Sequence, residues 1–250
     1  MSTYTPAKKV EFKGKVCPGV WEIKEERRIG AQSLFGDIYR ACCENDCKYI
    51  AKFILHEVTP LNDIQKEIYM QEFVYKNNSE LTIPIIEWFE ADNYVVILMP
   101  VLQLTVREAL SQMQDKESME KLIQQVLDKT YELHSIGVYH GDAHMNNFMI
   151  DNDNVKIIDF GKSGYITTNK NKIIEDYQFI YISINSLYDG FNQEQRIMLE
   201  EIADEIENIY KTVADKINLD LPIYTYDVSM SVEGEYYSDI DLGELPDIPM

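Results

Sequence analysis

One stretch, residues 139–161 with the sequence YHGDAHMNNFMIDNDNVKIIDFG, constrains the fold more than any other part of the chain. Asp142 is followed five residues later by Asn147, and then by two short apolar runs, 148–150 and 155–158. Between the runs lies Asp151-Asn152-Asp153-Asn154, and Asn and Asp tolerate left-handed backbone, so the pair of runs reads as a β-hairpin. The second run ends on Asp159-Phe160-Gly161. Ahead of the segment, Met119, Leu122, Ile123, Val126, Leu127 and Tyr131 fall on one face of a helix over 118–135. A helix, a short loop and a hairpin in this order bring Asp142, Asn147 and Asp159 to the ends of neighbouring elements.

Two carboxylates and an amide oxygen gathered in this way suit phosphoryl transfer. Its transition state is stabilised mostly by a divalent cation and by positioning, with a carboxylate to orient the attacking hydroxyl and take its proton. The segment resembles the catalytic and metal-binding loops of the protein-kinase-like superfamily: His140-Gly141-Asp142, four residues, Asn147, then Asp159-Phe160-Gly161. That resemblance implies Asp142 as the catalytic carboxylate and Asn147 and Asp159 as ligands of Mg²⁺. It implies a supporting role for His140 and a brace for the catalytic loop in Asp176. His144 stands where most protein kinases carry a lysine, as it does in aminoglycoside and choline kinases, and is a further catalytic candidate. Gly141 replaces the arginine that receives a phosphorylated activation loop in many protein kinases.

Upstream, strands are expected over 21–29, 37–43, 48–55, 85–90 and 94–99, with one helix over 61–76. Lys52, in the otherwise apolar run Tyr49–Ile54, is similar to the strand lysine that contacts the α- and β-phosphates of ATP. Glu67 is its expected helix partner, with Glu72 in reserve. Residues 29–39 hold Gly30 and Gly36 and resemble the phosphate-covering glycine loop, although the middle glycine is replaced. The backbone at Met99 and Val101 is the expected adenine contact. Helices over 175–188 and 192–219 complete a short C-terminal part, with Asn192 and Gln195 as a reciprocal cap.

The expected architecture is α+β: a bilobal protein-kinase-like fold with a small antiparallel N-lobe sheet plus one helix (21–99) and a minimal helical C-lobe (100–223). Residues 1–20 are an extension. Residues 224–250 carry seven acidic residues and no Lys or Arg, and read as an acidic, flexible tail. The net charge of −20 disfavours a broad grip on nucleic acid or anionic lipid. The N-terminal residues lack the apolar run of a secretory signal and no stretch is long enough to span a bilayer, so a cytoplasmic location with the four cysteines reduced is expected.

The implied activity is ATP- and Mg²⁺-dependent phosphorylation of Ser or Thr hydroxyls of proteins. A small-molecule kinase and a catalytically silent binding scaffold remain as alternatives.

Overall fold

The computed structural model describes residues 10–28, 37–91, 93–166, 171–186, 191–216 and 235–236. The chain divides into two compact units: Met1–Gln65 with Pro84–Val101 and Met230–Met250, and Lys66–Ile83 with Leu102–Ser229.

The first unit is built on strands β1 (Val10–Phe12), β2 (Trp21–Arg28), β3 (Asp37–Cys43), β4 (Asp46–Leu55), β5 (Glu87–Glu90) and β6 (Tyr94–Pro100). With the two-residue β12 (Glu235–Tyr236), they form one sheet in the order β1-β2-β3-β4-β6-β5-β12. All pairings are antiparallel except β12 beside β5. The β3–β4 turn is only Glu44-Asn45, with φ of 48° and 80°. Two consecutive left-handed residues are the turn whose twist matches that of the flanking strands. One sheet face buries Trp21, Ile23, Ala41, Ala51, Phe89, Val96 and Leu98, and the Trp21 indole N–H donates to Glu87 Oε2 at 2.9 Å.

The expectation of reduced cysteines is corrected here. Cys17 is bonded to Cys43 and Cys42 to Cys47, leaving no free thiol among the described residues. Hairpin and register cause this. The tight turn brings Cys42 and Cys47 to a Cα separation of 3.9 Å, and the pairing of Trp21 with Cys43 carries the segment before β2 to within reach, at 5.7 Å for Cys17.

Helix α1 (Leu61–Asn77) runs across the division between the units. The second unit continues with β7 (Leu104–Thr105), α2 (Val106–Gln112), α3 (Lys116–Ser135), β8 (Val138–Tyr139), β9 (Phe148–Asp151), β10 (Asn154–Ile157), β11 (Gly164–Tyr165), α4 (Asn171–Asn185) and α5 (Gln193–Lys216). The helix α2 was not expected from periodicity. Its start is nonetheless written in Thr105 and Glu108, whose side chains each bond the other's backbone N–H. Asn192 and Gln195 make the same exchange ahead of α5, both at 2.9 Å, as the sequence indicates. The β9–β10 hairpin also closes on two left-handed residues, Asn152 and Asp153. Its inner residues Phe148, Val155 and Ile157 enter a core with Met119, Ile123 and Val126 of α3 and Tyr177, Ile180 and Ile184 of α4. A helix bundle with a hairpin packed on it thus fixes both ends of the loop between β8 and β9.

Among the described residues no helix is long and apolar enough to cross a membrane. The tail lies outside the described residues except for β12.

Candidate active site

The loop from His140 to Asn147 is held by its own backbone together with the side chains of Asn147, His140 and Asp176. His144 N–H donates to Asp142 O at 2.8 Å, Asn147 Nδ2 to the same oxygen at 2.9 Å, and Asn147 N–H to His144 O at 2.8 Å. A single 3₁₀ turn, Met145–Asn147, then enters β9. At the far end of the hairpin, Ile158 N–H donates to Asn147 O at 2.9 Å, so Asn147 sits beside the residue preceding Asp159. The Nδ2 of Asn147 is committed to Asp142 O, which leaves Oδ1 as the side-chain atom with acceptor capacity.

His140 joins the two halves. Its Nδ1 accepts from Asp142 N–H at 3.2 Å and its Nε2 donates to Ile158 O at 3.0 Å, an assignment fixed by the two partners. Its ring lies against Phe160, 5.6 Å between centroids. Below the loop, Asp176 of α4 is fully buried, and its Oδ2 accepts from His140 N–H at 2.7 Å and from His134 Nε2 at 2.8 Å. Its Oδ1 accepts from Gly141 N–H at 2.7 Å. Burial by itself would raise this carboxyl, but His134 and the backbone donors outweigh it and hold it below the usual aspartate range.

Asp159 has φ of 64°. Left-handed backbone at a non-glycine residue costs about 1–2 kcal/mol, and Asp159 adopts it outside either of the hairpin turns that account for the other four such residues among those described. The Asp-Phe-Gly turn also meets α1: from the position a Cβ on Gly161 would occupy, Glu67 Oε2 is 3.3 Å away and Asp159 Oδ1 3.5 Å. Glu67 is buried, so α1 delivers one carboxylate to the turn. Glu72, further along the same helix, is half-buried, and burial raises its carboxyl.

His144 caps the 3₁₀ turn, with Nε2 3.9 Å from Asp142 Oδ2. Burial pushes its imidazole below the usual histidine range, partly opposed by Asp142. Its Nδ1 is buried with no hydrogen-bond partner among the described residues.

Asn147 Oδ1 and the Asp159 carboxylate are hard oxygen donors, the kind Mg²⁺ takes. Among the described residues no group of three or more His, Cys, Asp or Glu could hold a metal ion alone. An ion held by this pair would complete its shell from phosphate and water, as Mg²⁺ ordinarily does.

In the first unit, Lys52 is a buried residue of β4, paired with Ile97 on one side and Ile38 on the other. Met99 is buried near the end of β6. Val101 N–H donates to Lys48 O at 2.9 Å, so the donor a purine would take from Val101 is already committed within the sheet. Gly30 and Gly36 lie outside the described residues.

Gly141 is a position where only glycine fits. Its φ is +78°, and a Cβ there would stand 2.4 Å from Lys162 O. Gly141→Ala therefore costs about 1–2 kcal/mol from the backbone alone and more from the contact, read as a lowered Tm.

The model of the protein kinase domain matches residues 23–187. The chain belongs to the protein kinase family. It is 32% identical over 114 residues to the serine/threonine-protein kinase PSK2 of Saccharomyces cerevisiae, covering 42% of this chain and 10% of that one. It is 24% identical over 147 residues to a probable serine/threonine-protein kinase of Encephalitozoon cuniculi, covering 58% of this chain and 28% of the other. The chain thus spans less than a third of the length of either relative.

Proposed function

We propose that this chain transfers the γ-phosphoryl group of ATP to serine or threonine hydroxyls of proteins, with Mg²⁺ as cofactor. The observation that carries this reading is the fixed placement of Asp142: its carbonyl oxygen is locked by Asn147 and His144, while its carboxylate is partly exposed and bonded through Oδ2 to Lys162. Both named relatives are described as serine/threonine-protein kinases, which favours protein acceptors.

Asp142 accepts the proton of the attacking hydroxyl. The acceptor oxygen forms a bond to the γ-phosphorus, the bond from phosphorus to the β–γ bridging oxygen breaks, and ADP leaves. Mg²⁺, when bound, neutralises charge on the phosphate oxygens. Asn147 and Asp159 would hold it, kept in register by the hairpin between them. Lys52 is assigned to the α- and β-phosphates, and His144 to the edge of the transferred group. Gly30, Gly36 and the backbone near Met99 are assigned to covering and seating the nucleotide.

The test is incubation of the full chain with γ-labelled ATP and Mg²⁺ and a panel of acidic and basic proteins, aminoglycosides and choline. Label on protein serine or threonine is expected. Label confined to a small molecule would overturn the protein acceptor, and no label anywhere would overturn the transferase reading. In parallel, Mg-ATP at 100 times its Kd should stabilise the fold by about 2.7 kcal/mol. Asp159→Asn should weaken that stabilisation, measured as the shift in Tm.

A further inference from the structure

Lys162 directly follows the Asp159-Phe160-Gly161 turn and has no role in the mechanism above. Its Nζ lies 2.9 Å from Asp142 Oδ2. His144 Nε2, on the same oxygen, is 3.9 Å away and outside hydrogen-bond distance. The charge-assisted bond to Asp142 is therefore made by Lys162, and among the described residues no donor reaches Oδ1.

An exposed ion pair taken alone says little, and Lys162 is 56% exposed. What distinguishes this one is the backbone that delivers it. Ser163 N–H and Ser163 Oγ both donate to Phe160 O, at 3.0 and 2.6 Å, closing the turn around Lys162. Two residues on, Gly164 pairs with Tyr139 in the β8–β11 ladder, three residues ahead of Asp142. Between these anchors the Lys162 carbonyl rests on Gly141, in the space that any side chain at 141 would need. The glycine before Asp142 and the lysine after the Asp-Phe-Gly turn are thus parts of one device. Gly141 makes the room, and the room brings an ammonium group to the carboxylate.

We propose that Lys162 is a catalytic residue, its ammonium binding the equatorial oxygens of the phosphoryl group in transfer while Asp142 Oδ1 takes the acceptor proton. This rests on the reading of Asp142 given above. The distances make it reasonable: a base lies about 2.6–3.2 Å from the oxygen whose proton it takes, and that oxygen is the one bonding to phosphorus. A cation 2.9 Å from the base is then a short side-chain rotation from the phosphoryl oxygens, on which the transition-state charge is spread. No bond to Lys162 is made or broken. The bonds made and broken, and the fate of the proton, are those of the proposed reaction.

The experiment measures turnover of γ-labelled Mg-ATP by the full chain, scored as label on the protein panel and as label released to water. Wild type, Lys162→Ala, Lys162→Arg and Asp142→Asn are compared. Lys162→Ala should lose about 10²–10³ in kcat, the order of the cost of removing one donor that stabilises transition-state charge. KM for ATP should stay within about threefold, because the interaction belongs to the transition state. Lys162→Arg should recover part of the loss, and the Tm of both Lys162 variants should stay near that of wild type, since an exposed pair contributes little to folding.

Active wild type, inactive Asp142→Asn and undiminished Lys162→Ala would overturn the inference and leave the transferase reading standing. A faster Lys162→Ala would also overturn it, making the lysine a block on the base. A rate loss matched by a large fall in Tm in both Lys162 variants would reduce the lysine to a structural tie and overturn it too. Wild type with no turnover at all would remove the reading and the inference together.

Discussion

Asp142→Asn should lower phosphoryl transfer by about 10²–10⁴-fold, the range spanned by general-base contributions. The change removes the proton acceptor and little else. Every bond that shapes the loop around this residue uses its backbone: its N–H donates to His140, and its carbonyl accepts from His144 and Asn147. Asparagine leaves those bonds intact and occupies the same volume. The carboxylate's own partner is the Lys162 ammonium, and a pair that is 56% and 23% exposed contributes at most about 1 kcal/mol. The Tm of the variant should therefore lie within a few degrees of wild type, and its Mg-ATP thermal shift should persist. Transfer within about tenfold of wild type would show that another group takes the proton.

The parts of the site written in consecutive or nearly consecutive residues are legible in the sequence. Asp142, Asn147 and Asp159 are separated by a 3₁₀ turn and a two-residue hairpin turn, both dictated locally. The paired hairpin and the Ile158 N–H to Asn147 O bond then keep Asn147 beside the residue preceding Asp159. The Thr105–Glu108 cap is equally local, yet its helix is a short one whose apolar residues do not repeat often enough to show a period.

What escapes the sequence is what depends on register between distant segments. Nothing near Cys17 announces Cys43, because their meeting depends on how β2 lies beside β3. Lys162 looks like any surface lysine until Gly164 is paired with Tyr139 and the turn is folded onto Gly141. The glycine at 141 was readable as a departure from the family pattern. Its physical reason, a positive φ and a carbonyl in the way of any Cβ, was not.

Asp176→Ala should cost several kcal/mol of folding stability, about 1–3 kcal/mol for each of the three buried donors left without an acceptor. Such a loss is a large part of the 5–15 kcal/mol by which a domain is usually folded. Three donors depend on this carboxylate, His134 Nε2 and the N–H groups of His140 and Gly141, and all three bonds are 2.7–2.8 Å. Two of them belong to the residues immediately before Asp142, so activity should fall with stability. Asp176→Asn keeps the shape and one acceptor oxygen but removes the titrating carboxyl group. The wild-type carboxyl is held below its usual range in the folded state, so unfolding takes up protons as the pH falls through the aspartate range near 4. Its contribution is fully present above that range and is lost below it. Urea midpoints measured from about pH 6 down to 3 should accordingly fall more steeply for wild type than for Asp176→Asn. Parallel pH profiles would mean that the buried carboxyl group is neutral in the folded state, and that its negative charge is not what secures the catalytic segment.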